Sequence, residues 1–349
     1  MQDEILSILN RHARTDFSGV CLVKQGDHVI VHEAYGLAHR GFGIDNTIAT
    51  RFDIASITKV FTAAAIIQLV EREAIGLDTP VMPYLGIDGT RISDAVTVYH
   101  CLTHTSGIGD DADEEAGEDY ELLFVDKPNY SIRETRDFLP QFVDKEPMFP
   151  PGQGVRYNNV AFVLLGLVIE KATGVAYRDY VTTHIFERAG MIGANFCAMD
   201  GVCADLAEHY KRVEHVDGRV EWRKNIYSYP PIGSPDGGAT VTALDLDRFF
   251  RATRGGSLMG EEATRQLLSP HVMEKENEEG CSMIGFAFEF ELDANGRILN
   301  IRKDGINAGV ASMLVHYSAT DITTVLLANQ DCNVWTMLRE IEPIMVGKV

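Results

Sequence analysis

Two side chains able to do chemistry stand three residues apart in the stretch FDIASITKVFTAAAIIQLVE, Phe52 to Glu71: Ser56 and Lys59. A serine hydroxyl is a poor nucleophile at neutral pH and needs a nearby base to take its proton as it attacks a carbonyl. Residues i and i+3 share one face of a helix, so Lys59 falls within reach of Ser56. A lysine serves as base only where burial or neighbouring positive charge leaves its amine neutral. Here Ile54, Ala55, Val60, Phe61 and Ala63 to Ala65 offer an apolar wall. A place at the start of an amphipathic helix adds the positive end of the macrodipole, favourable to a developing alkoxide. The plain structural account is that serine often caps helices and lysine often decorates them. S-x-x-K occurs once among the serines of this chain and does not by itself choose between the two accounts.

Two further groups keep it company. In FPPGQGVRYNNVAFVLLGLVIEKATG, Tyr157-Asn158-Asn159 precedes a second apolar, helix-length segment that reads as strongly amphipathic. A tyrosine hydroxyl near a lysine can shuttle protons, and the Asn159 amide can position a substrate and the lysine. The alternative is a helix cap by Asn158 or Asn159, with Tyr157 packed on the surface. Nearer the C-terminus, RKDGINAGVASML puts Lys303 and Gly305 at the edge of a predicted strand. The glycine admits a substrate close to the backbone and the lysine adds positive potential. A hairpin turn explains the same residues without chemistry.

The elements that must position these groups follow from periodicity. A helix is expected over Asp3 to Arg14, then two β-rich runs around Gln25-Gly26-Asp27 form a hairpin. Helices are expected at Ser56 to Arg72, Val160 to Thr173 and Leu244 to Thr253. Strands follow at Ile284 to Leu292, Arg297 to Ile301, Ser312 to Tyr317 and Ile322 to Ala328. A last helix runs from about Asp331 and is interrupted or ended near Pro343. Two strands at one end and four at the other imply one antiparallel sheet built from both termini, with a helical middle packed on it. The fold class is therefore α+β, with a discontinuous sheet domain at 1–60 and 230–349 and a mainly helical domain at 61–229.

Composition bounds the partners. Of 349 residues 45% are hydrophobic, enough for a large core, and the net charge of −20 would repel nucleic acid or an anionic membrane. Basic residues are scattered, and runs such as FVLLGLVI are too short to span a bilayer. The start MQDEILSILNRHA lacks the basic and apolar regions of a signal peptide, so the chain reads as cytoplasmic. Six cysteines without a C-x-x-C pair read as reduced, mostly buried thiols. The acidic run from Asp110 to Glu121 reads as a solvated loop, since the order of a calcium loop is missing. His100, Cys101 and His104 form an incomplete metal set, and no metal is expected.

The three boxes, in this order, resemble the serine β-lactamase and penicillin-binding superfamily, in the branch holding class C β-lactamases, β-lactamase-type esterases and D-amino-acid peptidases. CLTHTSGI (Cys101 to Ile108) and DGGATVTALDLDRFF are similar to further signatures of that family, and the likeness extends from about Gly19 to Asn329. The resemblance implies a β-lactamase/transpeptidase-like fold and no cofactor. It makes Ser56 the nucleophile, Lys59 its partner amine, Tyr157 a general base and later acid, and Asn159 a substrate-positioning amide. Lys303, Asp304 and Gly305 become the substrate-lining third box. The backbone amides of Ser56 and Ile306 become the oxyanion hole, in which one donor is typically worth about 10² to 10³ in rate. "LTHTSG" would be a structural turn.

Asp304 departs from the family pattern, which usually has a hydroxyl residue there. Were its side chain to face the site, its charge would oppose a substrate carboxylate and favour neutral or amine-bearing substrates. The expected function is thus a serine hydrolase working through a Ser56 acyl-enzyme, most simply an esterase on small acyl esters. A D-amino-acid amidase or aminopeptidase, a weak β-lactamase or penicillin-binding protein, and a non-catalytic acyl-ligand-binding or scaffold protein are the alternatives. The partner is a small-molecule ester or amide; the sequence does not fix an oligomeric state.

Overall fold

The computed structural model describes residues 1–113, 116–277 and 280–346. Helix α1 (Gln2–Ala13) leads into strands β1 (Gly19–Gln25) and β2 (His28–Tyr35), joined by the two-residue turn Gly26-Asp27. A short 3₁₀ turn, Ala55–Thr58, runs directly into α2 (Lys59–Glu71), and α3 spans Val160–Thr173. A small hairpin, β3 (Tyr210–Glu214) and β4 (Val220–Lys224), precedes α4 (Ala243–Arg254). Strands β5 (Val272–Asn277), β6 (Gly280–Ile284), β7 (Glu289–Asp293), β8 (Ile298–Asn307), β9 (Val310–Tyr317) and β10 (Ile322–Ala328) follow, and α5 (Val334–Val346) closes the chain. The main sheet has the order β2-β1-β10-β9-β8-β7-β6-β5, antiparallel at every pairing. N-terminal strands therefore sit directly against the last strand, as the alternation at both ends implied.

Side-chain parity decides what each face of the sheet meets. Val20, Leu22, Leu314, Val325 and Leu327 join α2, α3 and α4 in the larger core, whereas Cys21, Val23, Met313, Val315 and Leu326 meet α1 and α5 in a second one. The central strands β9 and β10 are buried along their whole length because helices cover both faces.

Several expectations need correction. Helices α2 and α3 are not amphipathic: every residue from Lys59 to Leu69 and from Val160 to Ile169 is buried, so both are interior helices, covered on every side. The expected strand Ile284 to Leu292 is two strands, because Ala287 takes φ 66° and Gly285 N–H donates to Phe288 O, folding β6 back on β7. Strand β5 and the β3–β4 hairpin were not expected at all. The last helix begins at Val334, where Asn333 Oδ1 accepts from Thr336 N–H, and it carries Pro343 inside it. Asp110 and Asp111, expected in a solvated loop, are buried. Of the six cysteines three are buried and three partly buried. Among the described residues no single helix is long and apolar enough to cross a membrane.

Candidate active site

Ser56 sits in the 3₁₀ turn ahead of α2, and that turn is held from several sides. Ile54 N–H donates to Ala239 O at 3.1 Å and Ala239 N–H donates to Thr58 Oγ1 at 3.0 Å. Ser312 Oγ donates to Ile54 O at 3.0 Å. Ala55, just before the serine, adopts φ 43°, a left-handed conformation that costs a non-glycine residue about 1–2 kcal/mol. Its N–H is caught by Asp53 Oδ1 at 2.7 Å. Burial raises the Asp53 carboxyl to about 6, against the hydrogen bonds from Ala55 and Tyr229.

Lys59 begins α2 one turn on, fully buried. Its Nζ donates to Ser56 Oγ at 3.0 Å, Asn159 Oδ1 at 2.8 Å and the Asp236 carbonyl at 2.6 Å. Three acceptors match the three hydrogens of an ammonium. From the other side the Tyr157 hydroxyl donates to Ser56 Oγ at 2.7 Å. Ser56 Oγ therefore lies between two proton carriers supplied by different elements.

The start of α3 fixes Tyr157 and Asn159. Asn158 Oδ1 accepts from Ala161 N–H at 2.7 Å, and the Asp110 carboxylate accepts from the amides of Asn159 and Val160 at 2.9 and 3.1 Å. A carboxylate at that end also suits the helix dipole. Burial lifts the Asp110 carboxyl to about 6 in spite of these bonds. The His104 ring stacks on Tyr157 with centroids 4.7 Å apart, and its Nδ1 accepts from Asn158 N–H at 3.0 Å. Burial, then the Lys303 and Lys59 ammoniums, hold this imidazole well below the ordinary histidine range, so it stays neutral. His100 instead uses Nδ1 toward Thr97, so the two ring nitrogens serve separate turns.

Strand β8 supplies the third wall. It pairs with β7 only through Arg302, and from Lys303 to Asn307 it pairs with β9 alone among the described residues, which leaves one edge toward the Ser56 turn. Gly305 is in contact there: a Cβ would lie 2.0 Å from Ile54 O and 3.0 Å from Ser56 N. Lys303 is buried on the helical face, 4.9 Å from the Tyr157 ring centroid, with Glu289 Oε1 at 2.9 Å. Burial works against its charge, but Glu289, then Tyr157 and Asp304, outweigh it and hold the ammonium well above the ordinary lysine value.

Asp304 does not join this group. Register places it opposite Met313, on the face covered by α5, where Trp335 Nε1 donates to its Oδ2 at 2.9 Å. It lines neither cavity beside the site. Its charge therefore does not confront a substrate carboxylate from inside the site: strand alternation turns it toward α5, although its Oδ1 still lies 3.6 Å from Lys303 Nζ.

Two cavities of about 390 Å³ flank the cluster. One is lined by Ser56, Asn159, Asp53, Tyr229, Met199 and Ile306, so Ser56 and Ile306 border the same space. The other lies beyond Tyr157, among His104, Val155, Glu274, Glu289 and Lys303. Asp110, Asp236, Glu289 and the stacking of His104 were not singled out in the sequence. Each acts through a partner distant in the chain, and only the glycine pair after Asp236 gave a local sign.

A serine–lysine–tyrosine cluster with its lysine buried, between an interior helical layer and the part of β8 beyond its pairing with β7, defines the class of protein: the serine β-lactamase and penicillin-binding type. The chain belongs to the beta-lactamase family, whose model matches residues 10–339. A penicillin binding protein from Bacillus halodurans is 36% identical and superposes with TM-score 0.89 over 97% of this chain and 99% of its own. Esterase EstB of Burkholderia gladioli is 32% identical over 189 residues, 52% of this chain and 47% of that protein. Penicillin-binding protein 4* of Bacillus subtilis (strain 168) is 31% identical over 183 residues, 50% of this chain and 37% of its own length. The matches thus span less than half of these two curated relatives. A D-stereospecific amidohydrolase from Streptomyces sp., 21% identical with TM-score 0.81 over 100% of this chain and 99% of its own, shares the fold.

Proposed function

We propose that the protein is a serine hydrolase that cleaves small acyl esters through a Ser56 acyl-enzyme. The observation that carries this reading is the position of Ser56 Oγ, hydrogen-bonded at once to Tyr157 and Lys59. In the first step, from the form in which the Tyr157–Lys59 pair has released one proton to solvent, Oγ forms a bond to the substrate carbonyl carbon and its own proton passes to that pair. The oxyanion rests on the amides of Ser56 and Ile306. Collapse breaks the bond to the leaving group, which takes the proton through Tyr157. Water then attacks the acyl-enzyme, giving its proton to the same pair; collapse breaks the bond to Ser56 Oγ, which takes that proton back, and the acid leaves. Asn159 orients Lys59 and the acyl part in the cavity beside it, while the leaving group lies toward Lys303.

A second reading, acylation by a penicillin, is favoured by the orientation of Asp304 and by the likeness to the Bacillus halodurans protein. Intact-mass labelling with a fluorophosphonate and separately with a penicillin, beside p-nitrophenyl acetate and butyrate hydrolysis, tests both. The esterase reading expects a fluorophosphonate adduct and turnover that vanish in Ser56→Ala, with little penicillin adduct. A stable Ser56-dependent penicillin adduct would favour the second reading. No adduct and no Ser56-dependent hydrolysis would overturn both and leave a binding or scaffold role.

A further inference from the structure

We propose that Glu289, outside the Ser56, Lys59 and Tyr157 cluster, is the positioning residue that holds the Lys303 ammonium against the Tyr157 ring. Strands β7 and β8 pair with Glu289 opposite Arg302, one residue from Lys303. Glu289 Oε1 accepts from Lys303 Nζ at 2.9 Å, while Oε2 lies 3.5 Å from Arg302 Nε. Arg302 has its shorter bond elsewhere, from Nη2 to Glu291 at 2.6 Å. Glu289 is thus shared between a guanidinium already served and an ammonium with little else. The other carboxylate near Lys303 is Asp304, at 3.6 Å and engaged by Trp335.

The Lys303 side chain is only 3% exposed, so its charge depends on that partner. On the far side its Nζ sits over Tyr157, whose ring also faces Lys59 Nζ at 5.0 Å and the neutral His104 ring. The charged and titratable groups around Lys303 are therefore Glu289 from β7, Arg302 and Asp304 on its own strand, Tyr157 and His104 from the helical layer, and Glu274 and Lys275 from β5, which line the same cavity. Two cations face one phenol, and Glu289 balances the one that belongs to the sheet. The catalytic consequence rests on the acyl-transfer reading; the electrostatic content does not.

The sign follows from the competing influences on Lys303. Burial disfavours its charge and Glu289 is the largest favourable influence, so without the carboxylate burial prevails and the proton leaves at lower pH. Glu289→Gln keeps the shape and an acceptor while removing the charge. Lysine ¹⁵Nζ resonances would be followed from about pH 6 to about pH 10.5, the range below and up to an ordinary lysine, with Lys303→Met assigning the signal. Wild type is expected to keep the ammonium throughout, and E289Q to release it within that range. In the same variant Ser56-dependent ester hydrolysis is expected to lose rate in step with that titration, an alkaline limb that wild type lacks below about pH 10.5. Glu289→Asp, which retains the charge, should keep the wild-type behaviour in both measurements and serves if E289Q fails to fold. A Lys303 ammonium that persists in E289Q as in wild type, or that titrates early in E289D, overturns the proposal and leaves an ordinary sheet ion pair. The resonance decides this without turnover, whereas absence of a Ser56 adduct in wild type would sink the acyl-transfer reading alone.

Discussion

At the scale of single residues the site depends on close approach more than on the number of polar groups. Gly305 is the sharpest case, since a Cβ there would stand 2.0 Å from Ile54 O, 2.7 Å from Ser312 Oγ and 3.0 Å from Ser56 N. Relief requires β8 to move off the Ser56 turn, which separates the two proposed oxyanion donors. Gly305→Ala is therefore expected to lower kcat for p-nitrophenyl esters by about 10² or more, the loss typical of one misplaced donor. Lys303 and Tyr157 stay intact in this variant, so a wild-type kcat would show that the edge of β8 takes no part in the reaction. Ser56, Lys59, Tyr157, Asn159, Lys303 and Gly305 were legible in the sequence because each lies in a short local pattern. Asp110, Glu289 and the Asp236 carbonyl were not, because they reach the cluster across 49, 14 and 177 residues of chain. Asp304 was misjudged for a related reason: a motif gives a position, but only the register of β8 against β9 gives the face.

At the scale of elements, α2 is the member everything else is referred to. It is buried all round, so its few polar side chains must find partners inside the protein. Thr62 does so twice, with Pro235 O at 2.6 Å and the Tyr177 hydroxyl at 2.7 Å. The first of these fixes the loop whose next carbonyl, that of Asp236, accepts from Lys59. Thr62→Val keeps the shape and leaves both partners unpaired in the interior, at an expected loss of about 1–3 kcal/mol for an unsatisfied buried group. Urea unfolding measures that loss, and ester turnover should fall with it because Lys59 loses a fixed acceptor. An unchanged urea midpoint would mean that the loop rests on its backbone bonds instead. Helix α3 was found in the sequence with its observed ends because Asn159 and Gly174 bracket an unbroken apolar segment; its complete burial was not, since the period of a helix does not say how many sides are covered. The β3–β4 hairpin escaped notice because both its faces are largely solvated, leaving no apolar alternation to read.

At the scale of the whole molecule, opposing buried titrations shape the response to acid. Burial lowers His209 and His316 to about 4, and neutral His209 Nε2 accepts from Asp53 N–H at 3.2 Å. A base whose folded value is depressed gives stability that is complete above its unfolded value of about 6.5 and lost as pH falls through the folded one. Asp53 and Asp110, both raised to about 6, behave oppositely: their contribution is present below about 4 and lost as pH rises through the folded value. The two sets act over the same interval, but burial also lowers His104 and four further histidines, so the unmodified protein should still lose stability from pH 7 to pH 4, with the two carboxyls offsetting part of the loss. The comparison of wild type with His209→Gln separates them, because glutamine can still accept the Asp53 amide through its oxygen and cannot be charged. The stability of wild type relative to H209Q is expected to fall by roughly 3 kcal/mol over that interval, as a fall of the imidazole from about 6.5 unfolded to about 4 folded implies. Urea unfolding at pH 7, 5.5 and 4 checks it. A constant difference would mean that His209 is equally easy to charge in both states, and that the wall of the Ser56 cavity, which His209 lines, is more hydrated than its burial implies.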